Sequence, residues 1–481
     1  MHGLHVLVLA GVAWAAPSTP SPGAAAPYTV GPTVQVSRGS SERVHDEIFL
    51  AAHPTDPKRL IGCVMVDRDR YAERLLHVVA YTTEDGGATW ALAAESSEFV
   101  GDPMCGYDPS GRAYLIGIGT DDENWKNLVW WMEILRSEDG GRTWGKGTRM
   151  PGGDRPYLAF DFSDGPMRGT GYVVFSVRAT LLDKAGPAET LRDAAAPTLE
   201  VRRTNDGGRT WPKAAVGVGS KLTAFPTATG AAVLSDGTFV TLWLERSISK
   251  PDGAGDSDAD GRMALHAVTA APGADWFRRS VKVADFIDDY PQSGSFYSLA
   301  RDASSGATRD RLYAAWTDRS AGQRSQIRIS RSADRGATWS APVTVNTDGP
   351  ASAPEARDDY LPTVAVNKDG VVGVFWRRRA RSEEQAEVWF AASRDGGTTW
   401  LPPGRVSAPG GAVAGGLVKA ALRPTDDGLS PGSRVDKHFK GGDTSGLAAD
   451  ANGTFHLFWS DQRSGIGQTY SATVRVAEPK T

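Results

Sequence analysis

Acidic residues, arginines and aromatics recur in this 481-residue chain at matching points of successive strand patterns. After one kind of apolar strand come Asp67-Arg68, Glu245-Arg246, Asp318-Arg319, Arg377-Arg378-Arg379 and Asp461 with Arg463; four of these groups follow a tryptophan, at Trp243, Trp316, Trp376 and Trp459. Ahead of a second kind of strand come Asp46-Glu47, Asp102, Asp154-Arg155, Asp289-Tyr290, Asp358-Asp359-Tyr360 and Asp443. A guanidinium grips a carboxylate through two parallel hydrogen bonds. Two carboxyl groups in unlike surroundings can work as an acid/base pair on a glycosidic bond. Gathered at one mouth, and joined by aromatic planes for stacking, these groups suit sugar or acidic-sugar chemistry. A plainer reading stays open, in which each Asp–Arg pair braces neighbouring repeats and binds nothing.

Two further sets of residues invite a chemical reading. Asp256, Asp258 and Asp260 alternate ahead of Gly261 like the first half of a calcium loop, but Ala267 stands where the closing Glu belongs. A structural calcium there is the sole cofactor expectation, beside the simpler one of a solvated acidic loop; no cofactor is required. The two cysteines, Cys63 and Cys105, fall in strands expected to be neighbours, so they form either a disulfide or two buried thiols. So few clustered His and Cys residues argue against zinc.

The elements that must position these groups are written in a repeat. The string Ser/Thr-x-Asp-x-Gly-x-x-Trp occurs five times, with its aspartates at Asp85, Asp139, Asp206, Asp334 and Asp395 and its tryptophans at Trp90, Trp144, Trp211, Trp339 and Trp400. A worn copy fills the one double-length gap, keeping Thr269, Gly273 and Trp276 with Ala271 in place of the Asp. Each copy has turn chemistry: the carboxylate accepts backbone N–H groups and the Gly permits positive φ. Hairpin signals such as Asp108-Pro109-Ser110-Gly111, Asn367-Lys368-Asp369-Gly370 and Ala451-Asn452-Gly453 lie between the strands that lead into it. Seven such units begin near Glu47, Met104, Tyr157, Phe225, Ser295, Asp359 and Gly442. A fixed period of this kind means a repeat architecture.

The repeated string resembles the Asp-box, or BNR repeat, of sialidase-like β-propellers, and the likeness spans nearly the whole chain after its start. It implies an all-β propeller of four-stranded blades, seven by this count and six if the family's sialidases are the guide. The last unit lacks a fourth strand, and Thr33–Ser37 is expected to supply it and close the ring. The boxes are expected to be scaffold. The long insertions, at 121–127, 181–198, 247–262, 278–294 and 408–441, fall on the face opposite the boxes, where loops on a rigid frame carry function. Sialidases use three arginines on the substrate carboxylate, a tyrosine nucleophile and an aspartate acid/base. The nearest positions here are Arg68, Arg246, Arg319, Arg379 and Arg463; Tyr360 and Tyr290; and Asp46 or Asp102, with Asp359 as a further candidate and Trp316 and Trp459 as stacking surfaces. The Arg-Ile-Pro signature of the first sialidase arginine is absent, and the closest string, Asp154-Arg155-Pro156-Tyr157, comes later in the chain. The functional expectation is a sialidase-like glycoside hydrolase acting on terminal, including acidic, sugars of glycans. The alternative is a non-catalytic propeller that binds glycan or protein.

Composition sets the remaining expectations. A net charge of −4 gives no reason to expect nucleic acid, and 55 glycines with 9% aromatics fit an all-β chain. The apolar run at Leu4–Val12 followed by Ala13-Trp14-Ala15 reads as a signal peptide over 1–15, too short to span a membrane. A Pro/Ser/Ala-rich linker is expected over 16–32 and a single propeller domain over 33–478. The chain is therefore expected to be exported, secreted or periplasmic, monomeric, and to meet a glycan or glycoconjugate.

Overall fold

A computed structural model of the chain describes residues 27–67, 76–96, 101–120, 130–177, 198–216, 227–246, 261–274, 277, 280–288, 297–320, 325–347, 357–380, 386–407, 444–461, 463–464 and 466–478. These form seven antiparallel sheets, six of them four-stranded, each built from strands consecutive in sequence. The first strand of each sheet runs at the axis: His45–Ala52, Gly101–Tyr107, Asp154–Phe160, Thr227–Val233, Ser298–Arg301, Arg357–Val366 and Gly446–Ala449. Each of these inner strands touches the inner strand of the next sheet, all the way round. The molecule is a seven-bladed β-propeller, and among the described residues no α-helix occurs.

The second strand of each blade explains the apolar runs in the sequence. It is flanked by a strand on either side and covered by a blade on either face, so alternation disappears. Every residue of Leu312–Asp318 is buried, and six of the seven in Gly171–Val177 are. The seventh blade closes as expected: Val34 and Gln35 pair with Ser471 and Tyr470 of its third strand, Gln468–Val476. The closing segment starts earlier than the sequence reading placed it. Tyr28–Val30 continues the same ladder against Val474–Val476, and Tyr28 packs edge-on to Phe390 of blade six.

The five full Asp-box turns share one hydrogen-bond plan. In blade two the Ser137 hydroxyl donates to Asp139 at 2.8 Å and accepts the Gly141 N–H, while Thr143 gives Asp139 both its N–H and its hydroxyl. The bonds from Thr143, then Ser137 and the Arg142 amide, outweigh a slight burial penalty and hold the Asp139 carboxyl well below the usual carboxylate range. Asp85, Asp206, Asp334 and Asp395 are held in the same way. Each turn rests on the preceding blade. Gly208, at φ +82, lies so close to the Tyr114 ring that a Cβ would come within 2.5 Å of it. Trp90, Trp144 and Trp211 turn their N–H groups onto the box glycine carbonyl. Each box carboxylate is engaged by its own turn. Cys63 and Cys105 are free, buried thiols in contact across the boundary of blades one and two.

Candidate active site

The inner strands begin at the face opposite the boxes; five begin with a register shift, that of blade four between Ala228 and Gly230 with no left-handed non-glycine residue and the other four with one. The register of the first blade shifts between Asp46 and Ile48, of the second between Gly101 and Met104, of the third between Asp154 and Tyr157, and of the sixth between Tyr360 and Thr363. Each of these four shifts is a β-bulge with a non-glycine residue in the left-handed region: Glu47 at φ 44, Asp102 at 46, Arg155 at 57 and Leu361 at 54. Proline follows three of them, at Pro103, Pro156 and Pro362. Bulges re-aim a side chain, and strain of this kind persists only where the surroundings over-determine it.

In blades one to three the re-aimed side chains meet. Glu47, Asp102 and Arg155 line one small cavity with Phe49, Pro103, Pro156, Tyr157 and Thr444. Its volume of about 20 Å³ is that of a single water site. The Arg155 N–H donates to Asp102 Oδ2 at 3.1 Å, and Asp154 is hydrogen-bonded to Asp102 side chain to side chain. Burial, then the charges of Glu47 and Asp154, raise Asp102 well above the ordinary carboxylate range, against the pull of Arg155. Two carboxyls in contact share one proton because they cannot both ionise. The cluster therefore gathers carboxyls that compete to hold a negative charge, and a guanidinium, on adjoining strained strands.

The other expected residues fall elsewhere. Asp46 is buried in its strand opposite Met65, and Glu47, one residue on, is the side chain that reaches the cavity. Asp359 is 0% exposed and faces Arg378, 2% exposed, across the blade-six ladder: Nε–Oδ1 is 2.5 Å and Nη2–Oδ2 2.9 Å. Asn346 Nδ2 donates to the same carboxylate, and Arg378 stacks on Trp389 at 4.2 Å. Asp359 is thus a brace with no face toward solvent. Tyr360 is buried beside Arg377. Trp316 and Trp459 are each 1% exposed and pack in the core, so neither offers a face for a sugar; the Trp that ends an apolar strand belongs to the blade interior.

Arg463 lies on the rim, bound to Asp461 through Nε at 2.9 Å and over the Tyr470 ring at 4.8 Å. Arg319 is half-buried beside Asp318, its N–H on the Ile287 carbonyl. Arg246 and Arg379 lie in the second strands of blades four and six, Phe239–Arg246 and Val372–Ala380. Arg68, Tyr290, Asp256, Asp258 and Asp260, and most of the five long insertions, lie outside the described residues. Among the described residues no group of three or more His, Cys, Asp or Glu side chains is placed to hold a metal, and no helix is long and apolar enough to cross a membrane.

No protein-family model and no curated relative matches the chain. Solved structures resemble it distantly. A protein of unknown function from Dyadobacter fermentans is similar at 11% identity and a TM-score of 0.48, covering 94% of this chain and 100% of the other. The Hadza microbial sialidase Hz136 is similar at 13% and 0.42, covering 86% and 76%. An α-L-arabinanase of Penicillium chrysogenum is similar at 9% and 0.43, covering 93% and 98%. The fold itself is a seven-bladed β-propeller. Likeness at this level assigns no activity.

Proposed function

We propose that this protein is an exported glycoside hydrolase whose active site is the carboxylate cluster at the mouth of blades one to three. The observation that carries the reading is the convergence of Glu47, Asp102, Asp154 and Arg155 on strained inner-strand bulges, with Asp102 held protonated by burial and by its acidic neighbours. Perturbed carboxyls with divergent environments are what acid/base cleavage of a glycosidic bond needs. Asp102, sharing its proton with Asp154, protonates the leaving oxygen. Glu47 takes the proton of the attacking water. Arg155 holds the pair in register through its N–H and keeps the cluster from accumulating charge.

The cluster carries more negative than positive groups, and Arg155 is the one guanidinium lining the cavity among the described residues. That balance favours an uncharged sugar over a sialoside, and it separates this reading from the acidic-sugar expectation. The test is a panel of fluorogenic glycosides, neutral and anionic, assayed for turnover and for binding with the parent, Asp102→Asn and Glu47→Gln. Loss of an acid/base group is expected to lower turnover by about 10²–10⁴ while binding persists. Binding of a glycan with no turnover of any would make the propeller a recognition module instead.

A further inference from the structure

A second cavity lies on the propeller axis directly beneath the carboxylate pocket. Its volume is about 150 Å³, and all seven inner strands contribute to its wall. Three wall residues, Phe49, Tyr157 and Thr444, also line the carboxylate pocket, so the two spaces share a partition. The wall is largely apolar at Leu50, Met104, Leu299 and Leu447, but hydroxyls interrupt it. The hydroxyls of Thr229, 1% exposed, of Ser445, 5% exposed, and of Thr444 meet no protein hydrogen-bond partner among the described residues. A buried hydroxyl without a protein partner is satisfied by ordered water when the space beside it is large enough, and this space admits several waters.

We propose that the axial cavity is a water site which supplies the water consumed at the carboxylate pocket, with Thr229, Ser445 and Thr444 as its anchoring hydroxyls. The inference rests on the glycosidase reading for the fate of that water, though not for its presence. A substrate filling the mouth shuts off bulk solvent from above, so the water that attacks must already lie below the sugar. Thr444 stands at the partition and hands it to the one-water pocket beside Glu47 and Asp102. The glycosidic C–O bond breaks as Asp102 gives its proton to the leaving oxygen. The water oxygen bonds to the anomeric carbon, its proton passes to Glu47, and transfer of that proton back to the Asp102–Asp154 pair restores the starting state.

Thr229→Val and Thr444→Val keep side-chain shape, and Ser445→Ala removes little volume, so the fold should survive all three. Long-lived internal waters, read by water–protein cross-relaxation in solution NMR, are expected in the parent and should be lost in the Thr229→Val/Ser445→Ala double variant. In Thr444→Val, kcat for hydrolysis should fall about fivefold, the worth of one hydrogen bond, with KM unchanged. With methanol added as a competing acceptor, the share of methyl glycoside should rise. Absence of long-lived waters in the parent overturns the site, active or not. Hydrolysis and methanol partition unchanged in Thr444→Val overturn the supply role alone. Long-lived waters in a parent that turns over no glycoside would sink the proposed function, and the supply role with it.

Discussion

Replacing Asp359 separates the brace from the catalyst. The carboxylate and Arg378 form a two-pronged pair at 0% and 2% exposure, with Asn346 completing the shell. Asp359→Asn leaves the guanidinium buried without a counter-charge, at a cost of about 3–5 kcal/mol. With a urea m-value of about 3 kcal/mol/M for a domain of this size, the unfolding midpoint should drop by about 1–1.7 M. Against a total stability of about 5–15 kcal/mol, such a loss is large but leaves a folded fraction to assay. Asp359→Leu combined with Arg378→Met should recover most of it, because the expense lies in leaving one charge alone and not in losing the pair. Ligand binding and any turnover, measured well below the new midpoint, should stay at parent values. A midpoint shifted by less than about 0.3 M, together with lost turnover, would refute the argument and return Asp359 to the chemistry.

Three further outcomes follow from the fold. His45 is fully buried against the hydroxyls of Ser40 and Tyr81, and burial chiefly holds its imidazole neutral down to about 4, against 6.5 in the unfolded chain. The unfolded state thus takes up the proton first. The stability this contributes is full above pH 6.5 and falls by about 3 kcal/mol as the pH approaches 4; urea midpoints of the parent and His45→Gln across that range should converge at the acid end. Asp139→Ala strips a box turn of its acceptor and should cost about 1–2 kcal/mol with no change in ligand binding, checked by thermal melts and titration. Cys63 and Cys105 should resist alkylation in the folded protein and both label once it is unfolded without reductant; an unlabelled chain two hydrogens lighter would show a bridge instead.

The architecture was legible because it is written redundantly. Five boxes, a worn sixth and recurring hairpin turns locate the blades, and Val34-Gln35 matches a fourth strand closely enough to reveal the closure. The proposed site was legible only to within a residue. In a strand, neighbouring side chains point to opposite faces, so an error of one moves a residue from the cavity to the core. The bulge at Glu47 introduces that step, which is why Asp46 was favoured and Glu47 is the one that lines the pocket. The signal was present in the repeat of a residue before proline, at Asp102-Pro103, Arg155-Pro156 and Leu361-Pro362, all at the start of inner strands. Asp359, Trp316 and Trp459 are buried for another reason: residue type announces charge or aromaticity, but in a propeller the neighbouring blade decides whether that group meets solvent.

Blade six supplies an internal control on the strained strands. Leu361 takes the same left-handed conformation as Glu47, Asp102 and Arg155, at an equivalent bulge, yet carries no chemistry and is buried at 2% exposure. The conformation therefore belongs to the way an inner strand turns in from the mouth, and strain alone does not mark a catalytic residue. What sets blades one to three apart is that three neighbouring copies of this one backbone feature bear a carboxylate, a carboxylate and a guanidinium, with Asp154 beside them. A pseudo-symmetric ring offers the same re-aimed position repeatedly, and the proposed active sector is where those positions stop being equivalent in charge. Pairing within a blade, as at Asp359–Arg378, braces the ring; convergence between blades brings acidic groups from neighbouring blades together, and there a proton can move.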